Sequence, residues 1–288
     1  MALWRFDAIG TIWEIESERP LDEKMRARVH TVIDDFDRIW SRFRADSVVT
    51  RLARSGGAGE TSDAAAMLNA YRDVSTATHG AVNPLVGESI SALGYDADYS
   101  FIAATPRPAP VDWTSILSWS AQRIELASPA LIDVGALGKG RLVDLVLAAL
   151  TDLGGDMTVD AGGDIAVRGA DVRIGLEHPF DASKAIGTAT IRDQALCASA
   201  INRRVWGEGL HHVLDARTGL PVRTWAATWA IAPTAMLADA AATALFFDGG
   251  VDLAHRWGVK WVRMSTDGRA ERSENCPVEL FTTRAARE

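Results

Sequence analysis

The sequence predicts an α+β fold, with mixed sheets and packed helices forming one globular unit across residues 1–288. Three observations predict it. Runs with strand character and runs with helical period follow one another without the regular strand–helix alternation of a doubly wound sheet. The composition, 48% hydrophobic and 24% charged over 288 residues, is that of an ordinary globular chain long enough to bury a core. No internal repeat or low-complexity tract interrupts it.

Leu3 to Glu16 carries Trp, Ile, Phe and Thr in partial alternation broken at Gly10, which reads as a strand or hairpin. From Leu21 to Phe43, Met25, Val29, Val32, Phe36, Ile39 and Phe43 recur at steps of three and four, the stripe of an amphipathic helix. Arg44 to Ser47 ends it, and Ser55 to Gly59 reads as a loop. A second helix is expected from Asp63 to Ala77, stopping at His79-Gly80. Pro84 to Pro110, with further prolines at 106 and 108, reads as a long surface connection, a kind of segment that often carries function.

Leu131 to Gly140 is an apolar run passing into a glycine-rich turn. A helix through Leu142, Val146, Leu150 and Leu153 follows and ends at Gly154-Gly155. Strands are expected at Met157–Val167, interrupted by Gly162-Gly163, and at 172–176, 186–191 and 225–231. Ala235 to Phe247 is an alanine-rich helix.

The formal net charge of −8 argues against a nucleic-acid partner. A phosphorylated ligand would need local backbone amides, a Lys or Arg, or a metal. Cys197 and Cys276 lack zinc or disulfide-framework spacing and read as free thiols in a reducing compartment. Residues 1–10 lack a leader pattern, and no stretch reaches the roughly 18 apolar residues of a membrane span. The expectation is a cytoplasmic protein.

Three segments carry chemistry. In Gly135 to Gly140, glycines let the backbone approach a ligand and Lys139 sits where a helix begins, a site suited to phosphate. The pattern is neither a Walker loop nor a Rossmann fingerprint, and such a turn also serves simply to join elements. In Ala238 to Ala244, Asp239 and Thr243 are four apart and share a helix face. A carboxylate and a hydroxyl among alanines suit a hard cation such as Mg²⁺. On this segment alone a helix-dipole Asp with a back-bonded Thr is the more ordinary reading. In Leu210 to Pro221, His211 and His212 face opposite ways on a strand, so only one enters a given site. That one suits a base; Asp215 to Pro221 has turn chemistry.

Together these segments resemble one family over nearly the whole chain: the ApbE family, the FAD:protein FMN transferases. The resemblance runs from Ile9-Gly10-Thr11 through Ser41 to Ser47, Gly80 to Gly87, Asp133 to Asp144, Gly162-Gly163-Asp164-Ile165 and His212 to Pro221, ending on Asp239 to Thr243. It implies an ApbE/T-fold-like architecture and Mg²⁺-dependent transfer of FMN from FAD to a Thr or Ser hydroxyl of a target flavoprotein, with AMP released. By the same resemblance Asp239 and Thr243, with the carbonyls of Ala136 and Ala242, are the Mg²⁺ ligands. Asp133 and Lys139 contact FAD beside the metal loop. Ile9, Phe43, the Gly94-Tyr95-Asp96 segment and Leu214 line the flavin and adenine pockets. His212 is the base that deprotonates the acceptor, and Asp215 is either a second catalytic group or the residue that fixes the His-bearing turn.

The sequence also departs from the family's pattern. Ile9 replaces Met, Asn83 replaces Asp and Leu93 replaces an aromatic. Ala200 and Asn202 replace Gly and Tyr, Ala216 replaces Pro, and Arg141 stands where an aromatic is common. The metal pair, Lys139 and His212 are retained. That combination implies kept pyrophosphate chemistry with an altered flavin pocket or acceptor surface. It leaves open an FAD pyrophosphatase, yielding FMN and AMP, or a non-catalytic FAD-binding protein.

Overall fold

The computed structural model describes residues 1–281; residues 282–288 of the expected unit lie outside the described residues. The chain opens with a hairpin of β1 (Ala2–Ala8) and β2 (Thr11–Ser17), as the break at Gly10 predicts. Its two turn residues, Ile9 and Gly10, both have positive φ, 44° and 71°. Turns of that hand match the natural twist of paired strands.

Four elements follow: α1 (Glu23–Trp40), α2 (Val48–Ser55), β3 (Gly57–Glu60) and α3 (Ala64–Ala77). α1 is shorter than its apolar stripe. The Asp22 side chain accepts from the Met25 amide at its start, and Ser41 turns extended at its end. Its buried residues are Val29, Ile33, Phe36 and Trp40, the same period rotated slightly from the expected face. Ser47, expected to close one helix, opens the next by accepting from the Thr50 amide. β3 takes the place of an expected loop because it pairs with a distant strand.

The segment 84–110 is only partly a surface connection. It contains α4 (Gly87–Ala92), and Leu85, Ile90 and Leu93 are buried. Asn83 ties its two ends, donating from Nδ2 to the Pro110 carbonyl at 2.7 Å and accepting from the Leu85 amide at 2.9 Å. After it come α5 (Trp113–Ile116), β4 (Leu117–Trp119) and β5 (Arg123–Leu126), with β5 between β3 and β4. The apolar run at 131–134 forms no strand and leads directly into α6 (Gly138–Ala149).

β6 (Met157–Ala161) and β7 (Asp164–Arg168) form the hairpin predicted around Gly162-Gly163, followed by β8 (Val172–His178), β9 (Asp181–Ile191) and β10 (Ala195–Ala200). Two short hairpins come next, β11 (Val205–Trp206) with β12 (Leu210–His211) and β13 (Leu214–Asp215) with β14 (Leu220–Pro221). The chain continues through β15 (Trp225–Ala232), α7 (Ala235–Ala244), α8 (Gly250–Arg256), β16 (Lys260–Ser265), β17 (Ala270–Arg272) and β18 (Val278–Leu280).

An eight-stranded antiparallel sheet in the order β1-β2-β6-β7-β10-β15-β16-β17 divides the molecule. On one face α7 lies on β10 and β15, α6 lies on β6 and β7, and α1 lies on α6. The β18-β9-β8 sheet covers the other face, burying Leu176 and Ile191 against Leu196, Trp229 and Val262. Strand alternation sends Leu196 and Trp229 to this second layer and Cys197 and Ala230 to the helices. β15 is buried on both sides, which explains its unbroken apolar sequence. Both cysteines are free thiols. Among the described residues no helix is long and apolar enough to cross a membrane.

Candidate active site

A cavity of about 240 Å³ gathers the β1–β2 turn, the segment after α1, the loop into α6, the exit of β12 and α7. Nine of the expected site residues line it: Ile9, Phe43, Tyr95, Asp133, Ala136, Lys139, His212, Leu214 and Thr243. Ile9 does so from a left-handed backbone, φ 44°, which a β-branched residue rarely adopts.

The loop into α6 is held from three sides. Asp133 accepts from the Gly135 amide at 2.7 Å and from Arg42 Nε at 2.6 Å. The Tyr71 hydroxyl donates to the Asp133 carbonyl at 3.0 Å and accepts from the Ala136 amide at 3.3 Å. Burial, with Asp133 nearby, pushes the Tyr71 phenol well above its usual range, so it stays neutral. Arg42 also donates to the Tyr95 carbonyl at 2.7 Å and stacks 4.1 Å from the Phe43 ring centroid.

Beneath the cavity is a buried charge cluster. Lys139 Nζ lies 2.7 Å from Asp164 Oδ2 and donates to the Ala161 carbonyl at 3.1 Å. Burial would lower the Lys139 pKa, but Asp164 and Asp239 outweigh it and raise it. Asp239 is pushed well above the carboxylate range by burial first and by Asp164 second. Its Oδ2 accepts the Gly140 amide at 2.9 Å. That amide is thus taken by Asp239 rather than by the carbonyl of Ala136, four residues back, and Ala136 lines the cavity. Thr243, one turn after Asp239, lines the cavity and makes no helical back-bond among the described residues, unlike Thr76 and Thr78.

Ala136, Asp239 and Thr243 thus offer hard oxygen donors beside the buried carboxylate of Asp164, whose oxygens lack a well-formed hydrogen bond. Among the described residues no group of three or more His, Cys, Asp or Glu comes together as a metal site. A cation here would depend on carbonyl and hydroxyl oxygens as well as carboxylate, a donor set that fits Mg²⁺.

The histidine pair separates as its alternation predicts. His211 is tied to the backbone: Nδ1 accepts from the Val213 amide at 3.3 Å, so Nε2 carries the proton, 2.9 Å from the Val222 carbonyl. His212 faces the cavity, with a buried Nδ1 that has no hydrogen-bond partner. Burial foremost, then Arg204 and His211, lower its pKa to about 3. It is a neutral imidazole with a free nitrogen.

Five expected site residues are elsewhere. Gly94, φ 95°, packs under Ile102 and shapes the bend before Tyr95. Asp96 caps its own loop, accepting from the Asp98 and Ser100 amides at 3.0 Å each. Asp215 anchors its turn through the Arg217 amide and guanidinium, at 3.0 and 2.7 Å, and is absent from the cavity wall. Asp239 sits behind the wall, and the Ala242 carbonyl accepts the Thr228 hydroxyl at 2.6 Å. Arg42, Tyr71, Ser199 and Arg204 also line the cavity, with Asp164 beneath it. Arg42 and Asp164 lie inside the motif segments Ser41–Ser47 and Gly162–Ile165, whereas Tyr71, on a plain helix, carries no sequence signal.

Comparison with known proteins places this geometry. The model of the ApbE family matches residues 9–260. The FAD:protein FMN transferase of Rhodobacter capsulatus is 27% identical over 91% of this chain and 55% of its own length. The protein of the same name from Treponema pallidum is 29% identical over 84% of this chain and 77% of its own length. The chain thus spans about half of the first relative and three quarters of the second. The ApbE protein of Thermotoga maritima superposes with a TM-score of 0.81 at 21% identity, covering 95% of this chain and 97% of that one. The flavin transferase ApbE from Vibrio cholerae gives 0.76 at 19% identity, with the same coverages. At these identities the two structures establish the fold.

Proposed function

Because the chain belongs to the ApbE family, we propose that it transfers FMN from FAD to a Thr or Ser hydroxyl of a target flavoprotein, releasing AMP, with Mg²⁺ as its metal. The observation that carries this reading is the cavity wall, which the neutral His212 shares with Ala136 and Thr243. A hydroxyl is a weak nucleophile and needs an adjacent base that is unprotonated at working pH. Burial keeps His212 neutral and therefore unprotonated at that pH.

The acceptor hydroxyl gives its proton to His212 while its oxygen attacks the FMN-side phosphorus of FAD. The bond from that phosphorus to the bridging oxygen breaks, AMP departs, and FMN stays joined to the acceptor through a phosphoester. Asp239, Thr243 and the Ala136 carbonyl would hold Mg²⁺, which supplies positive charge against the bridging and leaving oxygens. Lys139, paired with Asp164, lines the same wall. Arg42 and Tyr71 hold Asp133 and its loop so that the wall keeps its shape.

The test is incubation with FAD, Mg²⁺ and a threonine-bearing acceptor, following AMP, FMN and acceptor mass. The expected result is an FMN increment on the acceptor, reduced by at least about 100-fold in Asp239→Ala. AMP and free FMN without any adduct would replace the transferase by a pyrophosphatase. FAD that binds and stays whole would leave a flavin-binding protein.

A further inference from the structure

The cavity wall carries three Lys or Arg side chains, and two of them are neutralised. Arg42 is paired with Asp133 at 2.6 Å and Lys139 with Asp164 at 2.7 Å. Arg204 is the third, and among the described residues no carboxylate lies within ion-pair distance of it. A cation left unpaired on a half-enclosed, largely apolar wall is costly unless something anionic meets it there.

The position of Arg204 is built. β11 and β12 pair Val205 with His211 and Trp206 with Leu210; Arg204 and His212 flank the end of this ladder, where the His212 ring meets the Arg204 backbone. Both line the cavity. Trp206 fixes the hairpin, donating from its indole to the buried Leu93 carbonyl at 2.6 Å and stacking 5.4 Å from Tyr95. Arg204 lies 5.9 Å over the same Tyr95 ring.

We propose that Arg204 binds the diphosphate of the donor dinucleotide, and that the hairpin end seats this anion contact beside the base. The proposal rests on the transferase reading and adds a residue to it. A diphosphate carries a negative charge on each phosphate, and the other cations of the wall are already matched by carboxylates. A guanidinium donates two parallel hydrogen bonds to phosphate oxygens, a geometry that an ammonium does not reproduce.

Binding of FAD and of riboflavin, which lacks phosphate, is measured by flavin fluorescence for the wild type, Arg204→Met and Arg204→Lys, with Mg²⁺ and with EDTA. The methionine variant is expected to weaken FAD by about 10- to 100-fold and riboflavin by less than about twofold, with lysine recovering part of the loss. Unchanged FAD affinity in Arg204→Met overturns the proposal. Equal loss of both flavins also overturns it, because it would mark a packing role against Tyr95. A wild type that binds no flavin removes the transferase reading itself, and this proposal with it.

Discussion

His211 and His212 are chemically identical neighbours, yet only one is left free to act. His211 has both ring nitrogens engaged by the backbone, whereas His212 has a buried nitrogen with no partner. The protonation of His212 makes a distinct prediction. Its native pKa, about 3, lies below its ordinary value of 6.5, so the unfolded chain binds the extra proton between those pH values. Its contribution to stability is present above pH 6.5 and is lost as pH falls from there toward 3. His212→Gln should flatten the fall in unfolding free energy between pH 6.5 and 5 by up to about 1.4 kcal/mol per pH unit. Chemical denaturation at each pH measures it; parallel profiles would mean that His212 takes up its proton at the same pH in the native and unfolded states. At this scale the sequence was most legible where spacing constrains chemistry. A helical step of four puts Asp239 and Thr243 on one face, and strand alternation lets only one histidine into a site, but the assignment of the metal pair and of His212 rests on the family resemblance. Arg42 and Asp164 were visible as residues but not as partners, because Asp133 and Lys139 meet them only through the fold.

Elements place these residues through contacts that periodicity does not encode. α6 and α7 cross at Gly140, where an added Cβ would meet the Ala235 carbonyl and the Asp239 Cβ. The glycine read as a phosphate-turn residue is thus also a crossing point that seats Asp239 against its own amide. Gly140→Ala should cost about 1–3 kcal/mol through overpacking, because the colliding atoms include backbone. It should also weaken the Mg²⁺ dependence of flavin binding, since Asp239 is what moves. Thermal melts and metal titrations test both, and a variant as stable as the wild type would remove the crossing argument. The longer helices are legible, α1 and α6 from apolar spacing and α7 from its alanines, with α3 expected between Asp63 and Ala77, whereas the short α2, α4, α5 and α8 leave no periodic signal. β3 was not legible either, because Gly57–Glu60 has no strand composition and is extended only through pairing with β5. The segment after Asn83 was read as surface because its prolines conceal the buried Leu85, Ile90 and Leu93.

Across the whole molecule, the cavity is closed by residues from position 9 to position 247, contributed by both ends of the long sheet's connections. The α+β class followed from the mixed order of elements, but the eight-strand order did not, because antiparallel pairing between β2 and β6 or β7 and β10 depends on long-range register. A site assembled from such distant segments ties ligand binding to global stability. FAD at 100 times its dissociation constant should stabilise the native state by about 2.7 kcal/mol, a Tm rise on the order of 5 °C. His212→Gln should keep that rise, since the imidazole is assigned to proton transfer, while Asp239→Ala should lose whatever part of it requires Mg²⁺. The three proteins melted with FAD alone and with FAD plus Mg²⁺ separate the roles. If Mg²⁺ adds nothing for the wild type, the oxygen set of Ala136, Asp239 and Thr243 is not a metal site. If His212→Gln abolishes the shift, His212 is part of the flavin's binding surface and the base lies elsewhere on the wall.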